Sequence, residues 1–564
     1  MGNATTLPNR RWVIAERTEP DIVEQLLANR GIMDRERFFH PDFARDSHDP
    51  FLLPGMEQAV ARIAQAIKAG ETVGVFADYD ADGINAGALL VKVFRSIGLT
   101  VVPYVPDRER EGYGLNEIGL RSLKKQDVSL VVTVDLGITA RSEVALAQSL
   151  GIDVIVTDHH HIDHDRIPTE AVALVHPGLP GSSYPFQGLA GGGVAWKLVQ
   201  ALQQNLNQPE LAQLKWWFEL PAISTVCDIV PLTGENRMIV HYGLKVLMQT
   251  RNLGLRALYR AAGITPDTIT EWTIGFQIGP RINAPGRIDH ASAALELLVT
   301  EDEATATTLA AKLEQQNQER QAQLEVLVLD AVTTVRQQKL HGQPAIVVAG
   351  DGWPAGLVGL VASRLVERFH RPTIVLGIEG DRAKGSGRSI DGFNLLAAID
   401  AQAALLLGYG GHEKAAGLHL QTQHIEAFRQ RFVAGAAKVL TPELLEPVFR
   451  ADLQISPGQI TETLVTDLLR FAPHGMGNPT IKFVVSPLTI AAVKSVGAEG
   501  KHLKLRCAEG PEGGLDAIGF GLGKLASTLT VGERIEALGS LEFNSYNGIE
   551  RIQLKLNDLR TMIG

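Results

Sequence analysis

The chain has 564 residues, 45% of them hydrophobic and 21% charged, with a formal net charge of −10. That length exceeds a single hydrophobic core and implies roughly two to four domains. The negative balance excludes an overall basic coat for nucleic acid, so any nucleic-acid path must be local; two widely separated cysteines, Cys227 and Cys507, exclude a disulfide framework or a CxxC zinc site.

At the N-terminus, MGNATTLPNRRWVIAE lacks a signal-peptide apolar core, and no uncharged apolar run is long enough to cross a bilayer, so a cytoplasmic protein without membrane contact is expected. MGNATT fits the loose N-myristoylation pattern, a match too short to carry weight. ERTEPDIVEQLLANR reads as a cap followed by a helix, and the rest of the first 50 residues has no evident place.

From about Glu71 short β-branched runs alternate with amphipathic stretches: TVGVFA, a helix near 85 to 97, LTVVPYV, a helix near 115 to 125, VSLVVTV, a helix near 139 to 149, then DVIVT. Strands apolar throughout and separated by helices predict a doubly wound parallel sheet covered on both faces. Residues 302 to 338 contain no Gly or Pro and predict one long helix, a strut between domains. A second α/β unit begins with PAIVVAG (344 to 350), continues through a helix near 356 to 369 and PTIVLGI (372 to 378), and ends near 440. Past Pro447 come five short strands with turn signals, SYNG (545 to 548) marking a hairpin, which suits a small barrel of the oligonucleotide/oligosaccharide-binding (OB) type.

Acidic residues recur where the first apolar runs end. FADYDADG supplies Asp78, Asp80 and Asp82, VVTVDLG supplies Asp135, VIVTDHHH supplies Asp158, His159 and His160, and CDIVPL supplies Asp228. In open parallel sheets ligands bind beyond the carboxyl ends of the strands. One Asp in such a place is usually a helix cap or turn residue. Several together would repel unless cations neutralise them, and carboxylates with one or two imidazoles suit Mg²⁺ or, with the histidines, Mn²⁺. A pair of such ions can clamp a phosphoryl group and activate water, which points to phosphoester hydrolysis. His161 and His164 read as solvated loop residues.

These residues resemble the DHH phosphoesterase superfamily, and the remainder looks like its RecJ branch, the single-strand-specific exonucleases. DYDADG, VTVD, TDHH and DIVPL stand in the family's order, and EGYGLN (111 to 116), GPRINAPGR (279 to 287), GWPAGLVGLVASRL (352 to 365), SGRS (386 to 389), GGHEKAAG (410 to 417) and FAPHGMGNP (471 to 479) extend the likeness over about 55 to 560. The resemblance implies that Asp80 and Asp82 bind separate metals, that Asp135 bridges them, and that His159 and Asp228 complete the second site. His160 would contact the scissile phosphate or steady the leaving group, with Asp158 and Asp78 orienting ligands from outside. GGHEKAAG would belong to a DHH-associated domain, where Gly411 lets backbone N–H groups approach a phosphate and His412 adds a donor. Arg388 with Ser386, and Arg281 with Asn283, become candidates for phosphate contacts.

The expected division is an N-terminal segment (1–54), a DHH catalytic domain (55–300), a connecting helix (301–340), a DHH-associated domain (341–446) and an OB-type barrel (447–564). The family activity implied is 5′ to 3′ hydrolysis of single-stranded DNA to 5′-mononucleotides in recombination and repair, with two Mn²⁺ or Mg²⁺ ions as cofactors. Phe483, Phe520, Phe543 and Tyr546 are the barrel aromatics available for stacking on bases. A monomer is expected, its acidic surface leaving room by analogy for a helicase or a single-strand-binding protein. The alternatives are a relative acting on short oligonucleotides or cyclic dinucleotides, which would generally lack the barrel, and a non-catalytic replication scaffold, which would have lost metal ligands. Two departures stand out: Leu136 where the family usually has Asn, and Ile84, Asn85 and Ala86 where Thr-Ser or similar residues commonly follow DYDADG.

Overall fold

The computed structural model describes residues 10 to 562 apart from Glu109 and Asn547, and not the side chains of Glu512, Tyr546 and Ile549. The N-myristoylation pattern and the Tyr546 side chain therefore lie outside the described residues, as does part of the SYNG turn.

The first sheet comprises β1 (Thr72–Ala77), β2 (Thr100–Tyr104), β3 (Val128–Val134), β4 (Asp153–Thr157) and β5 (Ala173–Val175). All pairings are parallel and the order is β2-β1-β3-β4-β5, so the chain reverses direction of travel between β1 and β3. That reversal opens a crevice at the carboxyl ends of the strands. One face packs on helices Met56–Ala69, Ala81–Ser96 and Gly191–Leu206 in the largest core; the other carries Leu120, Leu123, Val144 and Ala147 from the two crossover helices. The helix expected from about 85 starts at Ala81, because Asp80 caps it by accepting from the backbone N–H groups of Asp82 and Gly83. Its polar first turn, DGIN, hides the start from a reading based on apolar period.

The Gly- and Pro-free stretch is a single helix, Glu303–Gln337, capped by Asp302. It leads into the second sheet: β6 (Ile346–Asp351), β7 (Thr373–Glu379), β8 (Arg382–Arg388), β9 (Leu406–Gly411) and β10 (Ala415–Gln421), ordered β9-β10-β8-β7-β6. Only β6 and β7 run parallel; the other pairs are antiparallel, which the sequence did not indicate.

The C-terminal strands are β11 (Leu453–Ile455), β12 (Phe483–Val496), β13 (His502–Cys507), β14 (Leu515–Gly519), β15 (Arg534–Tyr546) and β16 (Ile549–Thr561). The order β12-β13-β14-β16-β15 closes through β15 pairing back onto β12, giving a five-stranded barrel with β11 added at one edge. The otherwise unplaced N-terminal residues belong here. Strand Arg11–Ile14 pairs in parallel with Val448–Ala451, and Val23, Leu26, Leu27 and Phe39 enter the barrel's core.

Candidate metal centre

Backbone hydrogen bonding of the first sheet continues one residue past three strands. The N–H groups of Asp78, Asp135 and Asp158 donate to the carbonyls of Val134, Thr157 and Val175 at 3.2, 3.0 and 3.2 Å. The sheet itself thus fixes three neighbouring carboxylates at its carboxyl edge. Asp135 adopts the left-handed region at φ 62°, rare for a residue with a side chain, and Ile229, just after Asp228, does the same at φ 61°. Gly191 must be glycine, since a Cβ there would lie 2.6 Å from that of Asp135. Its N–H and that of Gly192 donate to Asp82 at 2.7 and 2.8 Å, and the Ser224 hydroxyl donates to the same carboxylate at 2.5 Å.

His159 stands at the middle of the cluster. Its Nε2 lies 3.1 Å from Asp135 Oδ1 and 3.6 Å from both Asp82 Oδ2 and Asp228 Oδ2. Three overlapping sets each offer ligand atoms within 4.8 Å of one another: Asp82, His159 and Asp228; Asp78, Asp80 and Asp135; Asp135, His159 and His160. Asp135 and His159 are each shared by two sets, as a site for two adjacent ions requires. Asp135 Oδ1, Asp78 Oδ1 and His159 Nε2 are buried without hydrogen-bond partners. Buried polar atoms are rarely left so, and a pair of divalent cations, one in the Asp78 set and one in a His159 set, would satisfy all three.

Electrostatics agree. Burial pushes Asp78 and Asp135 well above the carboxylate range, with Asp80 and then Asp82 adding repulsion, respectively. Burial, followed by Asp82 and Asp80, raises Asp228 to about 8. Asp158 differs: burial would raise it, but its hydrogen bond with His160 and that histidine's charge outweigh the effect and bring it to about 2. For His160 burial opposes the charge, while the Asp158 hydrogen bond and the surrounding carboxylates raise it to about 9. Nδ1 of His160 donates to Asp158 Oδ1 at 2.8 Å, leaving Nε2 toward the opening, 3.4 Å from the Tyr113 hydroxyl. The loop is further held by His176. Its Nδ1 accepts from Gly178 N–H, so the proton sits on Nε2, which donates to the His160 carbonyl at 2.8 Å.

The remaining candidates separate. Arg388 on β8 donates to Ser386 Oγ at 2.9 Å and is mostly buried, which together with Arg108 lowers its pKa. His412 faces the triplet's neighbour, its ring 6.2 Å from His161, and the turn before it needs glycine, because Gly411 has φ 142° and a Cβ there would meet the Ala415 carbonyl at 2.4 Å. Asn283 accepts from the Ala81 N–H at 2.8 Å and so steadies the start of the helix that carries Asp82. Arg281 is ion-paired with Glu314 on the long helix and bonded to the Gln277 carbonyl. From the same segment it is Arg287 that joins the centre: burial, then Arg108 and Arg320, push it down to about 10, with Asp80 drawing it the other way. Arg108, Arg287 and Arg388 thus form a cationic group beside the acidic one. Sequence reasoning had not singled out Arg108, Arg287, Tyr113 or His176; Arg287 and Tyr113 lay inside motifs quoted for other residues.

Leu136 is fully buried in the core beneath the sheet with Val144 and Val156, so the departure from Asn adds an apolar core contact. Ile84 enters the main core, and Asn85 donates to the Ala81 carbonyl at 2.7 Å. Of the barrel aromatics, Phe483 is core, Phe543 packs against it, and Phe520 is 59% exposed with the Lys555 ammonium over its ring.

A parallel sheet ending in clustered carboxylates, joined by a long helix to a second sheet, is the layout of the DHH class of phosphoesterases, and comparison with known proteins agrees. The DHH family N-terminal domain matches residues 72–217, the DHHA1 domain 342–437, and the RecJ OB domain 451–558. The single-stranded-DNA-specific exonuclease RecJ of Bacillus subtilis is 40% identical over 95% of this chain and 67% of its own length; that of Escherichia coli is 33% identical over 96% of each. Among solved structures, Thermus thermophilus RecJ in complex with Mn²⁺ superposes with a TM-score of 0.81 at 29% identity, covering 98% of this chain and 80% of that one, and its complex with Mg²⁺ with 0.76. The chain belongs to the RecJ family.

Proposed function

We propose that this protein is a metal-dependent exonuclease that hydrolyses single-stranded DNA from the 5′ end and releases 5′-mononucleotides. The observation that carries the reading is the juxtaposition of an acidic cluster able to hold metal ions with the cationic group of Arg108, Arg287 and Arg388, the latter suited to a terminal phosphate. Asp80, Asp82, Asp135, His159 and Asp228 would hold the ions, and the unpartnered oxygen of Asp78 makes it a further candidate. Two divalent cations, Mn²⁺ or Mg²⁺, supply when bound the charge that neutralises these groups and a lowered pKa for the attacking water.

The chain's own residues do the rest. Asp158 keeps the His160 imidazole protonated and turned outward, so that it can donate to a phosphate oxygen or to the departing 3′-oxygen. Water adds to phosphorus and the P–O3′ bond breaks, which leaves a new 5′-phosphate on the shortened strand. The arginine group then meets the same terminal group at every cycle. The closed barrel supports long strands over cyclic dinucleotides or very short oligonucleotides, and the full ligand set argues against a scaffold without catalysis. The reading keeps the division at residues 1–54, 55–300, 301–340, 341–446 and 447–564. It extends by analogy to a cytoplasmic monomer supplied by a helicase or single-strand-binding protein and acting in recombination and repair; among the described residues no helix is long and apolar enough to cross a membrane.

One oligonucleotide labelled at either end and digested with Mn²⁺ tests this. Labelled mononucleotide is expected first from the 5′ end, and first release from the 3′ end would overturn the assignment.

A further inference from the structure

One face of the second sheet is covered for only part of its width. The helix Ala355–Phe369 packs there on β6 and β7 through Val348 and Val375, and it reaches β8 at Ser386, which a Cβ on Gly359 would approach to 3.1 Å. Val375, Ser386, Gly417 and Gly410 stand opposite one another in register, so beyond Ser386 the same face continues across β10 and β9. No helix covers it there, and a hollow of about 440 Å³ lies on it.

Three features of this hollow have no explanation in the chain's own packing. Its floor is bare backbone: Gly408, Gly410 and Gly417 are exposed, none has a left-handed φ, and a Cβ would meet nothing within 4 Å at the first two and only the Gly385 carbonyl, at 3.9 Å, at the third. Glycine weakens a strand, and it belongs where another backbone or a ligand comes close. Arg382 and Lys384 line one side without an ion-pair partner among the described residues, and no carboxylate shares the lining. Finally, β9 is the last strand of its sheet, pairs with β10 alone, and carries neither the charge nor the proline that usually guards an edge. Its one guard is a bulge at the start, where Leu407 is left 57% exposed. Past the bulge, His412 N–H donates to the Ala415 carbonyl at 2.7 Å, so antiparallel alternation turns the N–H and C=O groups of Gly411 and Tyr409 away from β10, with no partner among the described residues.

Together these select the occupant. Unpaired donors and acceptors at strand spacing are matched group for group by another extended peptide and not by a nucleic acid, and the unpaired cations ask that peptide to be acidic. Edge glycines are steadied when a neighbouring strand lays an aromatic ring over them. A second copy pairing β9 with β9 would present LLGYGG, which offers no acid to Arg382 and Lys384. We propose that β9 is the docking edge for an extended acidic segment of another protein. The segment adds as a further strand beside Tyr409 and Gly411, lays an aromatic side chain on Gly408 and Gly410 against Leu407, and turns carboxylates over the glycine floor toward Lys384 and Arg382. This surface is independent of the catalytic reading above.

The test uses the full chain and a short fluorescein-labelled peptide in which aspartate alternates with valine and a tryptophan replaces the central aspartate, with a counterpart carrying lysine for aspartate. The aspartate peptide should bind saturably and the lysine peptide should not, and amide exchange at Tyr409 and Gly411 should slow with the first alone. Tyr409→Pro, which removes an outward N–H from an edge that tolerates proline, should abolish binding, while Tyr409→Phe should keep it. Arg382→Glu/Lys384→Glu should weaken binding of the aspartate peptide at least about tenfold and admit the lysine peptide instead. An unaltered far-UV circular dichroism spectrum shows that each variant folds. Absence of saturable binding overturns the proposal, and so does binding that survives either Tyr409→Pro or the charge reversal. Dimerisation of the native chain that Tyr409→Pro reverses, without peptide binding, would give the edge to a second copy. Loss of single-stranded DNA binding in the charge-reversed variant, with the aspartate peptide still bound, would give the face to nucleic acid; either result also overturns it.

Discussion

Replacing Asp135 by Asn should abolish hydrolysis and yet stabilise the metal-free protein. Asp135 is 1% exposed, its Oδ1 has no hydrogen-bond partner among the described residues, and Asp82, Asp80, Asp78 and Asp158 all add to the effect of burial in disfavouring its ionised form. A carboxyl whose folded-state pKa is raised contributes its full stability below the unfolded value and loses it as pH rises toward the folded value. With an ordinary value of 3.8, the penalty at pH 7 cannot exceed about 4 kcal/mol, since protonation caps it at about 1.36 kcal/mol per pH unit. Asparagine keeps the shape without the charge and escapes that penalty, so the difference should open above about pH 4. Because a chain of several domains does not unfold in two states, the measurement is local: amide exchange of Val128–Val134 in chelator. Exchange in Asp135→Asn should slow by up to about a thousandfold at pH 7. Saturating Mn²⁺ should narrow the difference, adding roughly 2.7 kcal/mol to the native protein at a hundred times Kd and little to the variant. Exchange as fast in the variant as in the native protein, together with equal protection of both by Mn²⁺, would refute the account of Asp135 as a bridging ligand held at electrostatic cost.

Three further outcomes are expected. Glu219 is 1% exposed and burial raises it from 4.5 to about 8 despite its bond with Thr250 and the charge of Lys92; native stability should therefore fall between pH 4.5 and about 8, by an amount of order 5 kcal/mol, and Glu219→Gln should flatten that part of a pH–stability curve. Arg388→Ala should lower kcat/KM on a 5′-phosphorylated strand by roughly 100-fold but much less on a 5′-hydroxyl strand, a contrast that would vanish if the arginine group had no part in reading the terminal phosphate. Arg237, pushed down to about 10 by burial, donates to the carbonyls of Phe38, Arg470, Phe471, Ala472 and Pro473 at 2.8 to 3.4 Å; Arg237→Ala should leave these unsatisfied, weaken seating of the barrel by roughly 3 to 5 kcal/mol, and show as protease cleavage between 440 and 480.

What the sequence disclosed follows from which interactions are local. Apolar strands, three of them followed at once by an acidic residue, announce a parallel sheet with a site at its edge because the same few residues specify strand and candidate ligand. Glu303–Gln337 was legible for a similar reason: helix propensity without a breaker is a local property. The mixed second sheet was not, since β8 and β9 are rich in glycine and leave the alternation of β10 without a matching partner strand in the sequence. Strand Arg11–Ile14 finds its partner at Val448–Ala451, and no local pattern foretells a pairing across most of the chain. The cationic group shows the same limit inside a recognised motif. Arg281 and Arg287 are six residues apart in GPRINAPGR, and the sequence reading chose Arg281. Short helical turns between them aim one at Glu314 and the other at the carboxylate edge, so the choice depends on where the long helix passes. Leu136 makes the converse case: it stands where the family has a polar residue beside a candidate ligand, and the left-handed turn at Asp135 sends the two side chains to opposite destinations, the carboxylate to the cluster and the leucine to the core.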